Sequence, residues 1–206
     1  MTNIIKIPNE LQQDIISFCY DDTSSEWMHG FDADKVELVR KSVCNNGRKF
    51  IYCHETKFHE QIKIIEQEYL NAIGLSSDAI VPISSDEKNP HYPHFIGCIF
   101  KDTQKSSGVQ THIDVRKNGW YQMRINYLIQ KPDTGGEPII NRTVINVNEN
   151  QSWNVWASEH KHSALPVTED KMRITVSFGF FVNPKYVDEV KTRICNVVDV
   201  PVNYLI

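Results

Sequence analysis

The residues best suited to chemistry lie in the short stretch Thr111-His112-Ile113-Asp114. Side chains alternate between the two faces of a strand, so His112 and Asp114 would point to one side and Ile113 to the other. An imidazole and a carboxylate on one face are two ligands suited to a divalent transition metal. Alone, this pair is a weak signal, because short polar pairs in strands usually face solvent. A third ligand must come from elsewhere in the chain.

The best candidate for the third ligand is His162, which lies much later in the sequence. His160 has the same strand parity and stays open as an alternative. Two histidines and one carboxylate that leave coordination positions open form the facial ligand set of mononuclear non-haem Fe(II) sites. Arg173 follows, and its planar guanidinium can bind a carboxylate through two hydrogen bonds. The residues therefore predict a metal site with a carboxylate-binding arginine.

The strand that carries Arg173 divides into a polar and an apolar face. Arg173, Thr175, Ser177 and Gly179 share one face, and Ile174, Val176, Phe178 and Phe180 share the other. An earlier segment shows a similar division, with Arg124, Asn126 and Leu128 opposite Met123, Ile125, Tyr127 and Ile129. Small hydroxyl residues beside an arginine favour a cavity wall over a solvated face. For Arg124 and Asn126, a face that meets water is an equal alternative.

The elements that position these residues are expected in two halves. Apolar periodicity predicts helices over 9–20 and 55–73, with Asn9 capping the first, Gln12 bonding back to it, and Gly74 ending the second. Asn46-Gly47 predicts a hairpin between strands at 36–40 and 48–52, and 75–93 is expected to be loop. Short strands are then predicted over 94–100, 109–114, 121–129, 138–140, 143–147, 152–157, 161–167 and 172–182.

This order predicts a mainly β fold with N-terminal helices, in which the strands form a double-stranded β-helix, the cupin-like jelly roll. We expect a single domain over 1–206: residues 1–93 support the sheet, 94–182 form the core and 183–206 form a C-terminal extension. A chain of 206 residues with 40% apolar and 23% charged residues suits one ordinary globular domain.

Charge and cysteine content narrow the function classes. The net charge of −4 gives no general attraction to nucleic acid or to an anionic membrane. No apolar run approaches the roughly 20 residues that span a bilayer, and the N-terminus lacks a signal-peptide pattern. The five cysteines are scattered and never form a CxxC pair, so reduced thiols in a cytoplasmic protein are expected.

Residues 94–182 resemble the iron(II)- and 2-oxoglutarate-dependent oxygenases, most nearly the small prolyl-hydroxylase-like and aspartyl/asparaginyl-hydroxylase-like members. That superfamily has a His-x-Asp, a Gly-Gly turn, a distal histidine often followed by Pro-Val, and a basic residue about ten positions later. The matching segments here are Thr111–Asp114, Arg124–Ile129, Thr134–Pro138, His162–Val167 and Arg173–Phe180. The resemblance favours His162 over His160, because only His162 is in register with Pro166-Val167 and Arg173.

The resemblance implies a role for each matched residue. His112, Asp114 and His162 would hold Fe(II), and Arg173 would pair with the distal carboxylate of 2-oxoglutarate. Further contacts to the cosubstrate are expected from either Thr175 or Ser177, and from Arg124. Either Asn126 or Tyr127 is also expected to contact it, because only one of these two neighbours can face inward. Tyr121 is a further hydroxyl donor.

The resemblance also implies a reaction. With O2, 2-oxoglutarate would be decarboxylated to succinate while a C–H bond of an amino-acid or peptidyl side chain is hydroxylated. Halogenating relatives lack the carboxylate that Asp114 provides here, so hydroxylation is favoured. Small molecules or peptides are therefore the expected partners, and nucleic acid and membranes are not. The alternative is a non-catalytic, cupin-like jelly roll that binds a metal or a small ligand.

Overall fold

Two antiparallel sheets and three α-helices make up the part of the chain that the computed structural model describes, residues 3–21, 47–84, 93–101 and 108–202. The helices are α1 (Asn9–Tyr20), α2 (His59–Ile73) and α3 (Val187–Ile194). The strands are β1 (Arg48–Tyr52), β2 (Ile80–Pro82), β3 (Phe95–Ile99), β4 (Val109–His112), β5 (Tyr121–Gln130), β6 (Pro138–Ile140), β7 (Thr143–Val144), β8 (Ser152–Val155), β9 (His162–Ala164) and β10 (Arg173–Val182). Within these ranges, no helix has the length and apolar character needed to cross a membrane.

The larger sheet has the strand order β1-β3-β10-β5-β8, and β2 pairs with the end of β10. The smaller sheet has the order β4-β9-β6-β7. Every strand pair in the two sheets is antiparallel. Neighbours in a sheet are therefore often distant in sequence, and β10 joins strands from both halves of the chain.

The main core lies on the helix-covered face of the larger sheet. The predicted apolar faces of β5 and β10 are both buried there, together with residues of all three helices such as Ile15, Ile62 and Ile194. This confirms the predicted alternation along both strands. The opposite faces of β5 and β10 carry the polar residues, and they turn toward the smaller sheet.

Two elements were missing from the sequence prediction. The three-residue strand β2 lies within the expected loop 75–93, and it forms because Ile80, Val81 and Pro82 pair with the end of β10. Helix α3 lies in the expected C-terminal extension and buries Val190 and Ile194 in the main core. The predicted strand at 36–40 lies outside the described residues, whereas Arg48–Tyr52 is a strand and pairs with β3.

The predicted cap of α1 was wrong. Pro8 precedes the helix and no side chain caps its first turn. Gln12 is buried, and its Nε2 donates to the Ile7 carbonyl oxygen at 2.7 Å and toward the Tyr127 hydroxyl at 3.5 Å. The reason is that Gln12 lies on the core-facing stripe of the helix. The C-terminal prediction for α2 was confirmed, because Gly74 adopts a left-handed φ of 65°.

Candidate active site

Strand pairing brings the three predicted metal ligands together. His112 at the end of β4 lies directly opposite His162 at the start of β9, and their ring centroids are 4.1 Å apart. Oδ1 of Asp114 lies 3.6 Å from Nε2 of His112 and 3.9 Å from Nε2 of His162. One ligand atom from each residue lies within 4.8 Å of the other two. Metal–ligand bonds of about 2.1 Å at right angles place neighbouring ligands about 3 Å apart, so small side-chain shifts would enclose an ion.

Backbone carbonyls fix the orientation of both imidazoles. Nδ1 of His112 lies 2.8 Å from the carbonyl oxygen of Gln110, and Nδ1 of His162 lies 2.9 Å from that of His160. A carbonyl oxygen only accepts, so each Nδ1 is the protonated donor. In the neutral imidazole, each Nε2 then carries the lone pair through which it can bind a metal. This is the arrangement by which proteins orient histidines toward a metal.

Asp114 is held through its second carboxylate oxygen. Nε2 of Gln122 donates to Oδ2 at 2.8 Å, and Nε of Arg124 donates weakly to the same atom at 3.5 Å. The backbone N–H of Asp114 donates to the carbonyl oxygen of Ala157 at 2.8 Å. Oδ1 therefore remains directed toward the histidines, which suits binding through a single oxygen. Sequence reasoning missed Gln122, although it shares the polar face of β5 with Arg124.

The environment favours the metal-binding form of His162. Burial lowers the pKa of His162, and the neighbouring His112 lowers it further. The neutral imidazole is the form that binds a metal. His112, in contrast, has 45% of its side chain exposed. The ligand set is thus buried on the His162 side and open to solvent on the His112 side.

His160 lies apart from the ligand set. The residue is only 1% exposed, and its backbone carbonyl oxygen orients the imidazole of His162. Among the described residues, the group of side chains that could hold a metal consists of His112, Asp114 and His162. The structure therefore places His162, and not His160, beside the His-x-Asp pair.

A cavity of about 490 Å³ adjoins this group and lies between the two sheets. Strands of the larger sheet and β4, β6 and β9 of the smaller sheet line it. Its basic lining residues are Arg48, Lys49, Arg124 and Arg173, whereas Asp114 is the only carboxylate among the described lining residues. Such a balance of charge favours an anionic ligand.

The predicted cosubstrate residues divide into two groups. Arg124, Asn126, Arg173 and Thr175 line the cavity, which favours the cavity interpretation of both polar strand faces. The other three predicted residues, Tyr121, Tyr127 and Ser177, are outside its lining.

Tyr127 lies on the opposite face of β5 from Asn126, because successive side chains of a strand alternate. Its ring is buried in the main core and its hydroxyl lies near Gln12 of α1. Ser177 has the same parity as Thr175 but is fully buried, flanked in register by Phe95 of β3 and Asn126 of β5. Between the predicted alternatives, the structure therefore places Asn126 and Thr175 in the cavity lining, and Tyr127 and Ser177 outside it.

Arg173 is buried against the cavity wall. Burial and the positive charge of Arg48 together lower the pKa of Arg173 to about 10, so the guanidinium stays charged at neutral pH. Its guanidinium carbon lies 5.5 Å from the centre of the Trp153 ring, within cation–π range. Its Nε has no hydrogen-bond partner in the described part of the chain. A buried charged donor of this kind favours an anionic ligand.

The Gly135-Gly136 turn lets the chain pass close to Pro166, which follows β9, and to Arg173 of β10. Gly135 has a φ of 81°, and a Cβ at this position would lie 1.8 Å from the carbonyl oxygen of Pro166. Gly136 has a φ of 78°, and its Cβ would lie 3.1 Å from Cδ of Arg173. Both positions therefore need glycine for backbone conformation and for space.

Comparison with known proteins finds similarity in structure and none in sequence. No protein-family model and no curated protein sequence matches the chain. A prolyl hydroxylase from Trichoplax adhaerens, in complex with a peptide of the hypoxia inducible factor oxygen degradation domain, superposes with a TM-score of 0.56 and 13% identity over 90% of this chain and 83% of that one.

Two further structures contain 2-oxoglutarate. The viral collagen prolyl hydroxylase of Paramecium Bursaria Chlorella virus-1, in its 2-oxoglutarate complex, has a TM-score of 0.51 and 14% identity, covering 87% of this chain and 93% of that one. HygX from Streptomyces hygroscopicus, with nickel and 2-oxoglutarate bound, has a TM-score of 0.52 and 6% identity, covering 88% of this chain and 82% of that one. The chain therefore shares its fold with these three structures, at identities of 14% or less.

Proposed function

We propose that this protein is an Fe(II)- and 2-oxoglutarate-dependent dioxygenase that hydroxylates a C–H bond of an amino-acid or peptidyl side chain. The observation that carries the proposal is the convergence of His112, Asp114 and His162 on the same electropositive cavity that Arg173 lines. A metal store would need the first three residues alone. The buried arginine adds a site for a carboxylate beside the metal position.

Each residue has a defined part in this proposal. Nε2 of His112, Nε2 of His162 and Oδ1 of Asp114 would hold Fe(II) on one face and leave the opposite positions open. With its metal and cosubstrate bound, such a site supplies oxidation of a C–H bond by O2, coupled to decarboxylation of 2-oxoglutarate to succinate. Arg173 would bind the distal carboxylate and thereby fix the direction in which 2-oxoglutarate enters.

The remaining lining residues would orient the cosubstrate and exclude water. The amide of Asn126 faces the cavity and would donate to the cosubstrate, while Arg124 keeps Asp114 in place and donates through Nη1 to the Pro93 carbonyl oxygen at 3.2 Å. Trp153 and Val155 of β8 provide an apolar wall. A desolvated wall strengthens the electrostatic contacts of the bound anion.

The proposal also includes a jelly-roll architecture and a peptidyl substrate. Two antiparallel sheets facing each other across a cavity, together with the fold likeness, support a jelly-roll core over 94–182. The peptide bound to the Trichoplax adhaerens enzyme supports a peptidyl substrate. The solvent-exposed side of the ligand set, at His112, would admit a side chain presented from outside.

Succinate formation tests the proposed reaction. The purified protein would be incubated in air with Fe(II), 2-oxoglutarate and either peptides or free amino acids, and succinate and oxidised product would be quantified by mass spectrometry. We expect succinate that depends on Fe(II), with a product heavier by one oxygen atom for an accepted substrate. Absence of succinate with every candidate, while Fe(II) binds normally, would support the non-catalytic metal-binding alternative.

A further inference from the structure

A second arginine lies on the same wall of the cavity as Arg173. In the larger sheet, Arg48 of β1 pairs with Ile99 of β3, and Ile99 pairs with Arg173 of β10. Directly opposed residues of an antiparallel pair point to the same face, so the two arginines share one row. At about 4.8 Å per strand their backbones lie about 10 Å apart, a distance that two extended side chains can bridge through a small anion. Both arginines line the cavity.

The two positive charges oppose each other electrostatically. Apart from burial, Arg48 is the main influence that disfavours the charged form of Arg173, whereas Glu137 and Cys98 favour that form. Asp114 is the one carboxylate among the described lining residues, and its Oδ2 accepts a hydrogen bond from Gln122. Two like charges beside a partly desolvated cavity attract an anion.

The two hydroxyls expected to assist Arg173 are poorly placed for a ligand in the cavity. The hydroxyl of Thr175 donates to the carbonyl oxygen of Gly97 at 3.3 Å, across the β10–β3 pair. Ser177 is fully buried and outside the cavity lining. A carboxylate beside Arg173 therefore needs another donor, and Arg48 is the cationic side chain in the same row.

We infer that Arg48 and Arg173 form a two-arginine clamp for the distal carboxylate of 2-oxoglutarate. An ionised carboxylate offers about four lone-pair sites, enough for a guanidinium on each side. The inference rests on the proposed function, because it concerns the cosubstrate of that reaction. It makes β1, a strand from the N-terminal half of the chain, part of the binding site.

Binding of two ligands to matched variants tests the clamp. Anaerobic calorimetry with saturating Fe(II) would compare 2-oxoglutarate with pyruvate, a 2-oxo acid that lacks the distal carboxylate. The variants are Arg48→Gln, which removes the charge, and Arg48→Lys, which keeps it. Lys171→Gln is the control, because it removes one positive charge near Arg173 on the surface, where Lys171 pairs with Glu149 at 3.1 Å.

The clamp predicts a selective loss. Arg48→Gln should weaken 2-oxoglutarate binding about 10- to 100-fold, as expected for loss of a hydrogen bond between charged groups, and should leave pyruvate within about threefold. Arg48→Lys should restore part of the 2-oxoglutarate affinity, and Lys171→Gln should change neither ligand.

Three results would overturn the clamp. Unchanged 2-oxoglutarate affinity in Arg48→Gln would exclude Arg48 from the cosubstrate site. This result would not contradict the proposed function. Equal losses for both ligands in Arg48→Gln and Arg48→Lys would show that Arg48 acts on the fold or on the metal site. A wild-type protein that binds Fe(II) but no 2-oxoglutarate would overturn the clamp and the proposed function together.

Discussion

Gln122 offers the sharpest test of how the metal site is organised. Its amide Nε2 donates to Oδ2 of Asp114 at 2.8 Å, and the residue is only 1% exposed. The Gln122→Leu variant removes this hydrogen bond and leaves the side-chain volume similar. Arg124 would then hold the carboxylate alone, through a contact of 3.5 Å that lies at the limit of a hydrogen bond. Asp114 would rotate more freely, and Oδ1 would face the histidines for less of the time.

The magnitude follows from the kind of bond that is lost. A hydrogen bond to a charged group contributes about 1.5–3 kcal/mol, and loss of a residue that orients a metal ligand typically weakens metal binding about 10- to 100-fold. Because Arg124 remains, we expect a loss near the lower end, about 10- to 30-fold. Calorimetric titration with Fe(II) under anaerobic conditions measures the effect directly.

A second glutamine on the same strand provides the control. Gln130 is also buried on β5, and its Nε2 donates to the Met172 carbonyl oxygen and the Tyr20 hydroxyl, both at 2.8 Å. Gln130→Leu should lower the free energy of unfolding and leave Fe(II) affinity unchanged. If Gln122→Leu binds Fe(II) as tightly as the wild type, or if both variants lose the same affinity, the positioning role of Gln122 is refuted.

Three further predictions concern the other parts of the site. His162→Ala should abolish measurable Fe(II) binding by calorimetry and His160→Ala should retain it; the reverse order would show that the ligand assignment is wrong. Arg173→Ala should weaken 2-oxoglutarate at least about 30-fold and pyruvate little, and equal weakening of both ligands would contradict its role at the distal carboxylate. Gly135→Ala should lower the free energy of unfolding by more than about 3 kcal/mol in urea titrations, because its Cβ would lie 1.8 Å from a backbone carbonyl oxygen. Gly119→Ala, with the same φ of 81° and no atom within 4 Å, should cost only about 1 kcal/mol, and equal costs would exclude the clash as the cause.

The parts of the site that could be predicted from the sequence depend on local periodicity and on motif order. Alternation along β5 and β10 gave the correct faces, because one side of each strand is buried in a continuous apolar core. The His-x-Asp pair and a distal histidine were predicted from residue type and spacing, and the resemblance favoured His162 over His160. The structure explains how two short strands, β4 and β9, bring them into contact.

The parts that could not be predicted depend on contacts between distant segments. Parity placed Gln122 on the cavity side of β5, but nothing local showed that its amide reaches Asp114. Arg48 enters the same row as Arg173 only through the order β1-β3-β10, which sequence periodicity does not determine. Gln12 matched a capping pattern, yet its position on the buried stripe of α1 decided its partners.

The most direct test of the central claim is the visible absorption spectrum of the protein under anaerobic conditions, with Fe(II) added first and 2-oxoglutarate second. If His112, Asp114 and His162 hold iron beside the arginine-lined cavity, the second addition should produce the weak charge-transfer band of 2-oxoglutarate chelated to Fe(II). The band should be absent from His162→Ala. A wild-type protein without the band, or a His162→Ala variant that retains it at full intensity, would contradict the account.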